Sequence, residues 1–489
     1  MLKLPGRLSS RGEASLFLSG VNLMLLNFIM VQHATIAFPQ MEIAVIVFSL
    51  SYFSGVSLGY LISDRISKPL IRRLLPVFLI VQMAMLLTLQ CGYYGLSTAI
   101  GGWLDSSRLG EFAASSVVFL LVTTFATSLY AVFLPMVIDE EGIELRRCYS
   151  IEVAGSIVGL LLVPLLASIS HEALMGGYFV TFLALAFSVG ARPAMVAAMG
   201  VAVAIFLFRF AAWDQSAATW YYARYYEWKI DEIALTRYTP YHKIEVVKGN
   251  GSYKLILNGK RQFGGDPKRT YSYFVAEYPA RLLGTPKVAL LGCGSMATVG
   301  RIGDFVPSIQ IVDLDAEVFA ASRRFFPEYN RLDELHNWTF TDDDAKHWVA
   351  NATDRFDLIL HDIPPAHSRQ VALTYTEEFF RLVKARLQPG GLFSISSLTP
   401  FSKRSHYGKR MMKTLAQVFD HYFVLVHHGS VYFYGGGAEL KVLDPEALKS
   451  AVDPERSADV KVYTKEQMDE LVKDEDVITT NNVGELIYD

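Results

Sequence analysis

Cysteine is scarce in this chain of 489 residues, with Cys91, Cys148 and Cys293 far apart in sequence. An odd, dispersed set gives no disulfide framework and lacks the paired spacing of a zinc site. Cys293 sits in a glycine loop, where packing is the expected role. Charge is scarce too. Charged residues make up 19% of the chain, against about 25% in an ordinary soluble protein. A net charge of −3 lacks the basic footprint of a nucleic-acid-binding protein. The deficit is local. Residues 1–212 are long apolar runs between short polar loops, whereas residues 230–489 have the composition of a globular domain.

About 20 apolar residues cross a bilayer as a helix. Seven ranges qualify as candidate spans: 15–36, 42–63, 71–92, 115–138, 150–169, 175–190 and 194–211. The first follows Lys3, Arg7 and Arg11 with no convincing small-residue cleavage site, so a retained span is expected. Arg65, Lys68, Arg72 and Arg73, then Arg146 and Arg147, then Arg192 fall in alternate loops, while the opposite loops hold little beyond Arg108. The positive-inside rule then puts the N-terminus in the cytoplasm, and seven spans put the globular half outside it. Glu42 and Glu152 lie near span ends, where reaching the headgroup layer competes with a functional role. Gly55 and Gly59 have the small-xxx-small spacing of close helix packing. The aromatic run from Trp213 to Trp228 reads as a helix on the membrane surface. No chain of charges marks a transport path.

In the globular half, Asn250-Gly251 between apolar runs is a hairpin signal. A strand at Lys287–Leu291 runs into Gly292-Cys293-Gly294. Further strands end at Asp313, at Asp342-Asp343-Asp344 and at Asp362, with helices between, and a fifth covers Leu392 to Ser396. This alternation predicts a parallel, doubly wound sheet with its ligand at the carboxyl ends of the strands. There, Gly292 and Gly294 let backbone approach a ligand. Asp313, ending the second strand, suits ribose hydroxyls, and Asp344 suits an adenine amine. Capping of the following helices is the competing role for these acids.

Taken together, these motifs resemble the membrane-fused members of the spermidine synthase (polyamine aminopropyltransferase) family. The similarity extends to Leu16–Gly20, Phe53–Gly59, Tyr149–Gly159, Thr239–Ile244, Leu257–Gly259 with Gln262-Phe263, and Tyr375–Gly391. The resemblance implies transfer of an aminopropyl group from decarboxylated S-adenosylmethionine to a diamine, with no metal. It implies that Gly292, Gly294, Asp313 and Asp344 bind the nucleoside and that Asp362 is the catalytic base. It assigns Tyr271 and Gln262 to substrate binding. The amine side departs from the family pattern. Ser295 stands for an acid, Met296 and Ala297 for glycines, Tyr271-Ser272-Tyr273 for a Tyr-His/Gln-Glu motif, Pro365 for a second aspartate, and Thr480-Asn481-Asn482 for Thr-Asp-Asp. Each departure removes negative charge or a polar contact. Because unpaired ammonium groups are costly to bury, the expected acceptor is not a simple diamine.

The sequence thus predicts a multi-span α-helical membrane domain (1–212), an interfacial aromatic linker (213–238), a small β unit (239–285) and a Rossmann-like, S-adenosylmethionine-dependent-transferase-type domain (286–489). The expected donor is decarboxylated S-adenosylmethionine or S-adenosylmethionine itself. The expected partners are the lipid bilayer and the nucleoside donor, with room for membrane-protein partners. The expected location is the cell (inner) membrane, multi-pass. Charge bias places the globular half outside the cytoplasm, and the donor requires it inside. A non-catalytic scaffold or sensor is the alternative to a transferase.

Overall fold

The computed structural model describes residues 10–37, 41–89, 108–264, 270–292, 294–366, 368–396, 407–441 and 444–487. Cys91, Cys293, Lys3 and Arg7 fall outside these residues, as does the Glu42 side chain. The chain divides into two compact units, Met1–Lys243 and Ile244–Asp489.

The first unit is built from long helices: α1 (Arg11–Ala37), α2 (Met41–Arg65), α3 (Lys68–Leu87), α4 (Arg108–Glu141), α5 (Leu145–Ala167), α6 (His171–Ser188) and α7 (Pro193–Tyr225). Local chemistry sets their starts. Pro193 opens α7, where a missing N–H costs nothing. Ser170 caps α6 by accepting the Ala173 amide at 3.0 Å. Among the described residues, five helical stretches are long and apolar enough to cross a membrane: Arg11–His33, Val45–Arg65, Lys68–Leu87, Leu145–Ala167 and Pro193–Arg224. That is fewer than the seven ranges expected. In α4 the described apolar stretch is the shorter Ser116–Val132, and α6 has only 18 residues and opens on the polar pair His171-Glu172. The aromatic run also differs from expectation. Residues 213–225 continue α7 without a break, and a strand, β1 (Ile230–Tyr238), follows where the linker was drawn.

Glycines set the helix contacts. A Cβ at Gly55 would strike Thr127 and Thr124 of α4, and one at Gly59 would strike Ser128. Likewise a Cβ at Gly20 of α1 would meet the Glu152 carbonyl, and one at Gly155 the Phe17 carbonyl. So α2 lies against α4, and α1 against α5, at backbone distance. A polar network that sequence reading missed joins three of the helices. Asn22 Nδ2 donates to the Tyr178 carbonyl and to Thr181 Oγ1, both at 2.7 Å. Asn22 Oδ1 accepts from the Tyr130 hydroxyl. All of these groups are uncharged and satisfied, as a low-dielectric setting requires. Where α7 ends its apolar run, buried Asp214 pairs with buried Lys243 at 2.9 Å and accepts from the Tyr238 hydroxyl at 3.0 Å. Much apolar surface faces outward: Phe208 is 88% exposed and Leu161 68%.

In the second unit, β2 (Lys243–Gly249), β3 (Ser252–Leu257) and β4 (Lys260–Phe263) form an antiparallel ladder. Asn250-Gly251 and Asn258-Gly259 make its turns, all four residues with positive φ, as two-residue hairpins demand. A helical segment, 270–283, leads into the main sheet. Its core elements are β5 (Lys287–Leu291), α8 (Ala297–Ile302), β6 (Ser308–Asp313), α9 (Ala316–Phe325), β7 (Trp338–Asp342), α10 (Ala345–Asn351), β8 (Phe356–His361), α11 (Glu377–Ala385) and β9 (Leu387–Ser396). After α12 (Tyr407–Val418) come β10 (His421–His427), β11 (Ser430–Gly436) and β12 (Val460–Tyr463). The strand order is β12-β10-β11-β9-β8-β5-β6-β7. Strands β9, β8, β5, β6 and β7 are parallel, as expected. The sheet is nevertheless mixed, because β11, β10 and β12 add antiparallel pairs. Its core holds Leu291, Ile359, Phe379, Phe393, Leu415 and Phe433, nearly all inaccessible to solvent.

Candidate active site

The strand order reverses between β5 and β8, and ligands bind beyond the strand ends at such a switch point. Two backbone bonds draw the strand ends together. The Gly292 amide donates to Val312 O at 2.8 Å, and the Asp362 amide donates to Leu291 O at 2.8 Å. Gly292 has φ +83°, and a Cβ there would lie 2.6 Å from the Asp362 carbonyl oxygen. Only glycine allows both the turn and the contact. At Gly294, with φ +43°, a Cβ would meet open space, so the loop crest leaves room for a ligand. Met296 keeps a left-handed backbone, φ +57°, without being glycine. Its side chain is fully buried, and core packing offsets the strain of about 1–2 kcal/mol.

At the centre is Asp362, immediately after β8. Its Oδ1 accepts from the Tyr271 hydroxyl at 2.8 Å, and its Oδ2 accepts from the Thr298 hydroxyl at 3.3 Å. Burial pushes the Asp362 carboxyl up to about 7, the two hydroxyls pull it down, and the nearby Asp313 charge raises it further. The result is a carboxylate poised to take a proton near neutral pH. Burial, then the Asp362 charge, drives the Tyr271 phenol well above its ordinary value, so it stays a donor. Tyr271 stands at the start of segment 270–283, just before a π-helical turn at Tyr273–Glu277. Such turns recur at functional sites.

The other residues predicted from sequence divide. Asp313 ends β6, and its Oδ1 accepts the Asp315 amide at 3.0 Å. Its charge reaches Asp362, so Gly292, Asp313, Tyr271 and Asp362 converge. Asp344 lies beyond the next strand, β7, and caps α10: its Oδ1 accepts the Lys346 and His347 amides at 2.9 and 3.0 Å. The competing role of helix capping is therefore realised at Asp344. Gln262 sits half-buried on β4, where Phe263 packs that strand against Phe326 and Tyr329 at 5.2 and 4.9 Å. Gln262 is not a partner of Asp362. The altered C-terminal motif serves local structure: Thr480 Oγ1 donates to Glu378 at 3.0 Å, and Asn482 Oδ1 accepts the Thr479 amide at 2.7 Å. Tyr273 is also tied elsewhere, accepting the Asp453 amide at 2.8 Å.

Sequence reading missed three residues. Thr298 is the second hydroxyl on Asp362; its signal was a hydroxyl in the first helical turn after a glycine loop. The Tyr375 hydroxyl donates to the carbonyls of Ile363 and Pro364 at 2.9 and 2.8 Å, fixing the loop that carries Asp362. His361 is buried beneath, with Nε2 3.2 Å from the Thr374 carbonyl. Burial lowers it to about 4, so it is a neutral donor to that carbonyl.

Residues 271–433 match the family described as spermine/spermidine synthase domain. The polyamine aminopropyltransferase of Leptospira interrogans (serogroup Icterohaemorrhagiae, serovar copenhageni) is 30% identical over 189 residues, 36% of this chain and 37% of that one. That of Aeropyrum pernix is 28% identical over 200 residues, 39% of this chain and 63% of that one. That of Synechococcus sp. (strain JA-2-3B'a(2-13)) is 28% identical over 281 residues, 51% of this chain and 83% of that one. This chain thus spans well under two thirds of the Leptospira relative and slightly under two thirds of the Aeropyrum one. A spermidine synthase structure from Thermotoga maritima is similar over 53% of this chain and 89% of that one, at 19% identity and a TM-score of 0.40.

Proposed function

The C-terminal region of the chain carries a spermidine synthase domain, and from that premise we propose that the protein is a membrane-anchored transferase using an S-adenosylmethionine-type nucleoside donor. Asp362 is the base. The attacking amine forms a bond to the donor carbon attached to the sulfonium, the carbon–sulfur bond breaks, and its electron pair returns to sulfur. The proton lost by the amine goes to an Asp362 oxygen. The observation that carries this reading is the raised, doubly hydrogen-bonded Asp362 carboxylate beside the left-handed glycine loop. Among the described residues no cation compensates this buried carboxylate, and acids perturbed in this way cluster at functional sites. Gly292, Gly294 and Asp313 hold the nucleoside in this reading, with Asp344 contributing through its remaining oxygen. Tyr271 orients the base.

The acceptor is not a simple diamine. Ser295, Ser272, Tyr273 and Pro365 supply no carboxylate where a second ammonium group would need one, and Tyr273 and the Thr480–Asn482 turn are engaged elsewhere. The bilayer is the natural partner of the first unit, because its exposed apolar side chains have no other solvent that suits them.

Two measurements test this. A thermal-shift titration of the detergent-solubilised full chain with adenosyl ligands should raise Tm, and Asp313→Ala should reduce the shift at the same ligand concentration by most of its size. No shift with decarboxylated S-adenosylmethionine, S-adenosylmethionine or methylthioadenosine would leave the scaffold alternative. Separately, a fluorescent-protein fusion at the C-terminus should glow in intact cells while an alkaline phosphatase fusion stays silent, because the donor is made in the cytoplasm. The reverse pattern would rule out a cytoplasmic donor for this domain.

A further inference from the structure

Away from the Asp362 pocket, two histidines and an aspartate meet at the turn between β10 and β11. His427 is the last residue of β10 and is buried. His428 and Gly429 form the turn, at φ +47° and +83°, and His427 pairs with Ser430 across it. A two-residue turn with both φ positive is normally filled by Asn-Gly, so a histidine at the first position departs from the common choice. The left-handed backbone has a geometric effect. Successive side chains of a regular strand point to opposite faces, yet the His427 and His428 rings lie 4.2 Å apart. Asp459, immediately before β12, completes the group. It is brought there by the β10–β12 pairing of His427 with Val460, and its Oδ2 lies 3.4 Å from His428 Nε2.

One ligand atom from each of the three residues lies within 4.8 Å of the others. Tetrahedral zinc with bonds of about 2.0–2.2 Å holds its donors roughly 3.2–3.6 Å apart. The His428–Asp459 pair already meets this spacing, and small rotations of these two exposed side chains toward buried His427 close the rest. We propose that His427, His428 and Asp459 bind a divalent cation of the zinc class. Two imidazoles with one carboxylate suit zinc and its neighbours in the transition series, whereas magnesium and calcium prefer oxygen alone. Three protein donors leave one position for water or a ligand group.

Location gives the site a consequence. Tyr432 of β11 pairs with Ser396 at the end of β9, so the β10–β11 turn lies on the same carboxyl edge of the sheet as Asp362. Three strand spacings separate β10 from β8, roughly 14 Å. The cation fastens the β10–β11 turn to the start of β12 on that edge. It does so beside Phe274, whose ring is 5.0 Å from His427 and which follows Tyr271 by three residues. This inference stands whether or not the domain is a transferase.

The test uses the full chain without an affinity tag, stripped with chelator and dialysed against zinc chloride, with bound metal measured by atomic emission. The wild type should bind zinc stoichiometrically through this site. His428→Asn should weaken that binding at least tenfold while preserving the turn, because asparagine enters the left-handed region readily. Asp459→Asn, of the same shape, should do likewise. Metal-free Tm values of both variants should match the wild type, so that lost binding reports a lost ligand. Cobalt in place of zinc should give the visible bands of a tetrahedral site, absent in His428→Asn. Wild-type zinc binding unchanged in both variants, or no stoichiometric binding at all, would overturn the proposal. Displacement by excess magnesium would overturn the assignment to the zinc class.

Discussion

Asp362→Asn should lower the rate of group transfer by ~10²–10⁴-fold and leave donor affinity within a few fold. The amide keeps the shape of the carboxylate but cannot receive the proton of an attacking amine. In the wild type the same residue sets the pH profile. With its carboxyl at about 7, the base is ionised only above that value, so the rate should climb as pH rises toward 7 and level off beyond it. The asparagine variant should lose this limb as well as the rate. A second readout separates chemistry from architecture. An unfolded aspartate titrates at about 3.9, so the folded chain holds a proton that the unfolded chain has released between about pH 4 and pH 7. Stability from this group therefore falls across that window as pH rises, and above it the folded protein carries a buried charge. Removing the charge should make Asp362→Asn more stable than wild type at pH 8, by ~1–2 kcal/mol once residual solvent access is allowed for, or several degrees in Tm. A variant that is inactive and also less stable at pH 8 would identify Asp362 as a structural residue.

In the helical unit, Asp214→Ala is expected to have the largest effect on stability. Asp214 and Lys243 are both buried, and Tyr238 donates to the same carboxylate. Cutting back the aspartate takes the carboxylate partner from a buried ammonium group and one acceptor from the Tyr238 phenol, and breaking a buried pair by removing one partner typically costs about 3–5 kcal/mol. Detergent-solubilised Asp214→Ala should therefore show a steep loss of Tm or of folded yield. The double variant Asp214→Leu, Lys243→Met separates the pair from its parts: replacing a buried pair with apolar side chains is often close to neutral, so it should recover most of the loss. A double variant as unstable as the single one would mean that packing around these residues, not their charge, holds the region.

Much of the globular domain is legible in the chain because its signals are local. Asn250-Gly251 and Asn258-Gly259 have one comfortable geometry each, and both adopt it. The parallel strands show as short apolar runs ending at a glycine or an acid, which is how Gly292, Asp313 and Asp362 could be placed at strand ends. The antiparallel strands β10 to β12 escaped notice for two reasons: the β10–β11 hairpin turns on His428-Gly429 and not on a common Asn-Gly pair, and the other pairings are distant, with β11 finding β9 across a helix and β12 finding β10 across more than 30 residues. Thr298 and Tyr375 were hard to find for a related reason. A hydroxyl in a helix carries no periodic signal, and only the fold reveals that it faces the Asp362 carboxylate or its loop. Asp344 shows the opposite limit, since an acid at a strand end is also an acid before a helix, and sequence cannot separate the two uses. In the helical half, apolarity marked the helices but not their ends. Nothing in the aromatic run after Trp213 could show that α7 continues through it.

The glycine contacts in the helical unit bear on how anything could move through it. Side chains are what part when a path opens between helices, because rotamers can swing while backbones stay in place. Where α2 meets α4 at Gly55 and Gly59, and α1 meets α5 at Gly20 and Gly155, the glycines bring backbone against backbone carbonyls and small side chains, which leaves little to swing. At those four contacts the seams resist parting, so a solute or lipid tail moving through this unit would meet less resistance away from them.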